Sequence, residues 1–228
     1  LACSGHVSRD LWEFLPEGAP ADLRQHEISG ARFHLREGAD RSYPFYRDEP
    51  ISNVIDRVAL DRKLAELART AGASVRPNHT VTAVTEHPDS VSLTVQGPDG
   101  PDEFEAKLVV GADGPNSTVR RELGLPDPDE LLVGVLTHAP APDHSEFVDV
   151  LLDVPTFFGW RIPRGEAGVE YGLGAPPEYD VVGHLEDWLE REDVSPGPRF
   201  GGHIPVGPPT QVHTDRAILL GDAAAQTK

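Results

Sequence analysis

The stretch LVVGADGPNSTVRRELG, residues 108–124, decides how the chain is read. Leu108, Val109 and Val110 lead into Gly111-Ala112-Asp113-Gly114, which reads as a buried strand stopping at a tight turn. Asn116 or Ser117 then stands where a helix cap belongs. Glycine lets a backbone approach a ligand closely, and a helix start presents unpaired N–H groups with partial positive charge. Asp113 is placed to accept hydrogen bonds from ribose-like hydroxyls or backbone N–H groups, and Arg120 to reach a phosphate or pin the loop. The pattern returns in AILLGDAAA, residues 217–225. An apolar strand again ends in Gly221-Asp222, and Ala223, Ala224 and Ala225 leave room for a bulky ligand. Strand end plus helix start is where open α/β sheets bind their ligands.

Outward from these two motifs, the clearest helix spans 57–71. Leu60, Leu64, Leu67, Ala68 and Ala71 form one apolar stripe, with Asp56 as the cap and Gly72 as the stop. Ala73–Arg76, Val81–Glu86, Val91–Gln96 and Ala106–Val110 read as strands, with turns around Pro88-Asp89-Ser90 and Gly97–Gly100. At the beginning, Leu11, Trp12 and Leu15 suit a short helix, and residues 30–47 read as a hairpin turning at Gly38-Ala39-Asp40. From about 131 to 206 the character changes. Strand-like runs at 131–137, 147–153, 157–162 and 168–174 accompany one helix, His184–Arg191, and read as a separate sheet-rich lobe.

Composition narrows the function classes. The chain has 228 residues, 38% hydrophobic and 25% charged, which is globular. No run approaches the ~20 apolar residues a helix needs to cross a bilayer. The single cysteine, Cys3, excludes a disulfide framework and a Cys-rich zinc module. A net charge of −18 argues against nucleic-acid binding, because phosphate would be repelled. The basic residues are nearly all arginine, the lysines being only Lys63, Lys107 and Lys228. Such an acidic, lysine-poor surface suits concentrated salt, where repulsion is screened within ~3 Å at 1 M. The chain holds no methionine, its N-terminus lacks a signal-peptide pattern, and it stops where a helix begins, so it reads as an internal piece of a longer protein. The histidines show no metal-ligand spacing, and no G-x-S-x-G elbow is present.

Taken together, GADGPNSTVR and ILLGDAAA resemble the two internal flavin signatures of FAD-dependent oxidoreductases of the aromatic-hydroxylase superfamily. A narrower resemblance is to the geranylgeranyl reductases. Pro155-Thr156-Phe157-Phe158-Gly159-Trp160-Arg161-Ile162-Pro163 is similar to their P-x-x-Y-x-W-x-F-P substrate motif, with Phe158 in place of the tyrosine and Ile162 in place of the phenylalanine. Ile55-Asp56-Arg57, with Leu60, Asp61 and Leu64, resembles their V-D-R-x-x-F-D-x-x-L stretch, and Cys3-Ser4-Gly5-His6-Val7-Ser8 their C-x-G-x-x-S stretch. The glycine-rich loop that binds the ADP part of the cofactor in that superfamily is not in this sequence.

The resemblance implies an α/β (α+β) fold: a partial FAD-binding, Rossmann-like layer over 48–125 and 210–228, with an inserted antiparallel-sheet substrate lobe over 1–47 and 126–209. It implies FAD as cofactor, held through Arg57, Gly111, Asp113, Gly114, Arg120, Gly221 and Asp222, with NAD(P)H or ferredoxin as electron donor. Cys3 becomes the candidate proton donor, and Phe158, Trp160, Ile162 and Pro163 the candidate substrate contacts. The implied reaction is reduction of isolated C=C bonds in geranylgeranyl chains of archaeal membrane lipids. The implied setting is a haloarchaeal cytoplasm, with peripheral contact at the inner membrane face. The alternatives are a flavin monooxygenase acting on a small or aromatic substrate, and a fragment that serves only as scaffold. The salt expectation is directly testable: the unfolding midpoint followed by circular dichroism is expected to fall as salt is diluted from molar to millimolar. An unchanged midpoint removes the halophilic reading.

Overall fold

A computed structural model describes residues 3–35 and 41–227, so the hairpin turn expected at Gly38-Ala39-Asp40 lies outside the described residues. In chain order the elements are β1 (His6–Ser8), a 3-10 turn (Arg9–Phe14), α1 (Ala19–Leu23), β2 (Arg24–Ile28), β3 (Gly30–His34), β4 (Tyr43–Tyr46), β5 (Ser52–Ile55) and α2 (Arg57–Thr70). Then come β6 (Thr80–Glu86), β7 (Val91–Gly97), β8 (Gly100–Ala106), β9 (Val109–Gly111) and α3 (Thr118–Glu122). They are followed by β10 (Glu130–Ala139), β11 (Phe147–Leu151), β12 (Gly159–Pro163), β13 (Val169–Ala175), α4 (Val181–Arg191), β14 (Arg199–Val206), β15 (Ala217–Leu219) and a 3-10 turn (Gly221–Ala224). The fold is mixed α/β and dominated by strands.

The chain forms two compact units, residues 1–73 with 133–202 and residues 74–132 with 203–228. Residues 48–73, grouped in the sequence reading with the flavin lobe, pack in the first unit. That unit holds a seven-stranded sheet in the order β14-β10-β13-β12-β11-β3-β4 and a three-stranded sheet β1-β5-β2. In the large sheet β11 runs parallel to β3, whereas β10–β13, β13–β12, β12–β11 and β3–β4 are antiparallel. Strand alternation gives the sheet two different faces. Helix α4 covers one of them. Its Leu185, Trp188 and Leu189 pack on Val135, Leu151, Tyr171 and Leu173. Burying each such leucine contributes about 1.5–3 kcal/mol. Part of the opposite face is covered by the small sheet, where Ile28 and Val54 meet Val148 and Ile162.

The second unit joins an antiparallel sheet, β6-β7-β8, to the parallel pair β9–β15 and helix α3. Gly111 is a point of close approach between strand β9 and helix α3. A Cβ there would lie 2.7 Å from Leu219 Cδ2 and 2.9 Å from Val119 Cβ.

Several elements differ from the sequence reading. Residues 73–76 are not a strand; among the described residues they join none of the sheets. The run 106–110 divides at Lys107-Leu108 into the end of β8 and the start of β9, which belong to different sheets. The α2 stripe is buried only at its beginning: Leu60 packs with Ala19, Leu23 and Ile55, whereas Leu64 is 46% exposed. Asp56 does cap α2, accepting the Ala59 N–H at 2.9 Å, and Gly72 follows with φ 93°. Two core changes are expected to act in opposite ways. Gly111→Ala overfills the β9–α3 contact and should cost about 1–3 kcal/mol. Leu185→Ala empties the α4 contact and should cost about 2–5 kcal/mol. Both are read as midpoint shifts in chemical denaturation, and an unshifted Gly111→Ala midpoint contradicts the close approach.

Candidate functional site

The two glycine-aspartate motifs meet in the second unit. β9 and β15 pair in parallel with Leu219 opposite Gly111, and Leu220 N–H donates to Gly111 O at 2.9 Å. Asp113 and Asp222 therefore both follow the C-terminal ends of neighbouring parallel strands, the edge at which open α/β sheets hold ligands. Both carboxylates are exposed. Gly114 (φ 83°) and Gly221 (φ 59°) occupy left-handed turns, with nothing within 4 Å of where a side chain would begin.

The helix start behaves differently from the sequence expectation. Asp113 Oδ2 accepts the N–H groups of Thr118 (2.7 Å) and Val119 (3.2 Å), and Ser117 Oγ accepts that of Arg120 (2.9 Å). These donors are already satisfied within the chain, and α3 is only 5 residues long. Asp113 thus holds the loop with one oxygen. Arg120 is also corrected as a phosphate ligand. Its side chain is 5% exposed. Nη1 donates to Ala223 O at 3.0 Å, Nη2 to Pro115 O at 2.7 Å and Nε to Asp127 at 3.1 Å. The guanidinium clamps the loop after β9 to the turn after β15, at the edge that the β9–β15 pairing creates. Gly111 is likewise buried in the β9–α3 contact, where a side chain would meet Leu219 and Val119.

The remaining candidates lie in the first unit. Arg57 opens α2 and pairs with Asp61 at 2.9 Å, one turn on. Its Nε is buried and has no hydrogen-bond acceptor among the described residues. Cys3 is a free, half-buried thiol just ahead of β1. The aromatic motif divides in two. Phe158 and Trp160 are half-buried, with ring centres 6.0 Å apart in an edge-to-face arrangement. Ile162 is core, packed with Ile28, Val54 and Val148, and Pro163 is fully buried. Substrate contact through Ile162 and Pro163 is therefore set aside.

Sequence reasoning missed the buried polar group beside Trp160. Glu170 on β13 is 0% exposed. Its Oε1 accepts the Trp160 indole N–H at 2.9 Å, and Oε2 accepts from Arg164 Nη1 at 3.0 Å. His138 Nε2 shares a 3.0 Å hydrogen bond with the same Oε2. Arg164 Nη1 also donates to Ser4 O at 2.7 Å, and Nη2 donates to Gln25 Oε1 at 2.7 Å and to Ile55 O at 3.2 Å. Nearby, His6 Nε2 and Ser52 Oγ share a 2.6 Å bond. Burial pushes the His6 pKa below its ordinary value, against the pull of Glu170. The one sequence signal was a glutamate in VEYGLGA, a run otherwise suited to a fully buried strand.

On the same side as Trp160 the cross-strand register forms a row. Gly172 on β13 faces Trp160 on β12, Trp160 faces Val150 on β11, Val150 faces Phe33 on β3, and Phe33 faces Tyr43 on β4. Phe45 lies on this side too, opposite Ala31. Phe33, Tyr43 and Phe45 are all exposed. The helix-covered side has an ion cluster of its own: Asp149 pairs with Arg32 (2.8 Å), His34 (2.9 Å) and Arg161 (3.4 Å).

Comparison with known proteins places this geometry. The family described as FAD binding domain matches residues 13–187. Digeranylgeranylglycerophospholipid reductase 2 of Methanothermobacter thermautotrophicus is 29% identical over 247 residues, covering 99% of this chain and 62% of its own length. A 12-dehydrotetracycline 5-monooxygenase/anhydrotetracycline 6-monooxygenase of Streptomyces rimosus is 32% identical over 148 residues, 64% of this chain and 25% of its own. Among solved structures, a geranylgeranyl bacteriochlorophyll reductase-like protein of Thermoplasma acidophilum superposes with a TM-score of 0.88 at 20% identity, over 99% of this chain and 62% of its own. The chain thus spans 62% of the length of the first of these relatives and of this structure. With the match covering most of its residues, the chain belongs to the FAD binding domain family.

Proposed function

We propose that this chain is part of an FAD-dependent reductase that saturates isolated C=C bonds in the geranylgeranyl chains of archaeal lipids. The observation that carries the reading is the apolar row from half-buried Trp160 and Val150 to exposed Phe33 and Tyr43. Three strand spacings make this row about 14 Å long. A continuous apolar strip of that length suits an extended hydrocarbon, whereas a compact aromatic substrate calls for a closed pocket with a few placed polar groups. The similar reductase of Methanothermobacter thermautotrophicus, matched along nearly the whole chain, supports the same reading.

The residues of the second unit suit the nucleotide part of the cofactor. Gly114 and Gly221 leave the backbone open, Asp222 presents an exposed carboxylate to hydroxyls, and Asp113 holds its loop while keeping a second oxygen for a ligand. Arg120 is a positioning residue that keeps both turns in place. In the first unit, the buried Nε of Arg57 has no acceptor among the described residues, which suits a role toward the ribityl–phosphate portion. When bound, FAD supplies the hydride for one carbon of the alkene. Cys3 gives the proton to the other carbon, while Trp160 and Phe158 hold the chain in place and keep water away.

Such a substrate comes from a lipid leaflet, so peripheral membrane contact is part of this proposal. Among the described residues no helix is long and apolar enough to cross a membrane. A second reading, a monooxygenase, draws on the similarity to the Streptomyces rimosus enzyme. Oxygen uptake with a hydroxylated product would favour it. For the reductase, Cys3→Ala in the full-length protein is expected to keep its flavin absorbance and to lose about 10²–10⁴-fold in turnover of a geranylgeranyl lipid. Full turnover removes Cys3 from the mechanism. Failure of the unaltered protein to reduce such lipids removes the reading itself.

A further inference from the structure

We propose that Glu170 is a positioning residue that holds, from inside the sheet, both the Trp160 indole and the segment bearing Cys3. The inference rests on the reductase reading for its catalytic meaning, and its geometry stands apart from that reading. The two oxygens of Glu170 have different tasks. Oε1 takes the indole N–H, and Oε2 takes Arg164 and His138. The indole is also seated from below, because a Cβ at Gly172 would overlap its ring. Its ring plane and its N–H are therefore both fixed, and Phe158 packs edge-to-face against the same ring at 6.0 Å.

The second arm runs through Arg164, which is 7% exposed. The nitrogen that meets Glu170 also donates to Ser4 O, the carbonyl next to Cys3. The other terminal nitrogen donates to Ile55 O, at the end of β5 and two residues before Arg57. Gly5 O in turn accepts the Ile55 N–H at 2.9 Å. One buried carboxylate thus references the aromatic wall, the thiol segment and the start of α2 to a single point in β13.

A buried ion pair is a poor device for stability alone, since apolar residues of similar volume often serve as well or better. Its use here is directional. An indole N–H and two backbone carbonyls need polar partners at fixed angles, and a carboxylate with a guanidinium fork supplies them. Catalysis by proximity makes such placement matter, because a misplacement of about 1 Å can cost about 100-fold in rate.

The test compares Glu170→Gln with the unaltered full-length protein by readouts that need no substrate. Alkylation of the Cys3 thiol by iodoacetamide is followed by peptide mass, and exposure of Trp160 by acrylamide quenching, using Trp160→Phe to identify its share of the emission. Glu170→Gln is expected to keep its circular dichroism spectrum and flavin content. Both Cys3 alkylation and Trp160 quenching should change together, by about threefold or more, and turnover of a geranylgeranyl lipid should fall by about 10–100-fold. Unchanged alkylation and quenching in a folded Glu170→Gln protein overturn the proposal, as does a change in only one of them. Should the variant fail to fold, hydrogen exchange of the Trp160 indole N–H is measured in the unaltered protein. Strong protection supports the anchor, and exchange at the rate of an exposed indole overturns it. If the unaltered protein reduces no polyprenyl lipid while these spectroscopic results hold, the functional reading fails and the anchor stands.

Discussion

The guanidinium of Arg164, held by a carboxylate that water does not reach, is the contact on which the first unit depends. Glu170 and Arg164 neutralise each other inside the sheet, and the remaining donors of the fork reach Ser4, Gln25 and Ile55. Removing either partner would leave a buried charge uncompensated, at a cost of about 3–5 kcal/mol. The segment before β1 and the end of β5 are therefore tied to the large sheet by directional bonds as well as by apolar contact.

The second unit solves a similar problem with the same residue type. Arg120 lies inside the loop–strand–loop edge and donates to Pro115 O and Ala223 O. Two turns that are far apart in the chain, made neighbours by the β9–β15 pairing, are tied together because one planar fork meets carbonyls from both. In each unit an arginine chosen for its geometry, not its net charge, fixes the backbone beside a candidate site.

The two faces of the seven-stranded sheet show how one set of strands serves packing and binding at once. Alternation sends Leu173, Tyr171 and Val135 to α4, and Trp160, Val150 and Phe33 to the opposite side. Ions gather around Asp149 on the helix-covered side, while the other side carries the aromatic and aliphatic row together with the buried Glu170–Arg164–His138 cluster. An apolar strip that includes a fixed indole is suited to a chain-like hydrocarbon, and the buried network on the same face anchors that indole.

What the sequence determined by itself is local. The strand–turn motifs at 108–124 and 217–225, the Asp56 cap, helix α2 and the β6–β7 hairpin follow from turn chemistry, capping and periodicity acting over a few residues. Tertiary structure decided what depends on register between distant strands. β11 pairs with β3 across more than 100 residues of chain, and only that pairing puts Phe33 in line with Val150 and Trp160. β14, in the glycine-containing run RFGGHIPV, is a strand because a neighbour in the sheet accepts it. Arg120, Ile162 and Glu170 change meaning for the same reason. Whether an arginine meets solvent or carbonyls, whether an isoleucine lines a surface or a core, and which donors surround a glutamate are set by side chains brought together only when the sheets assemble.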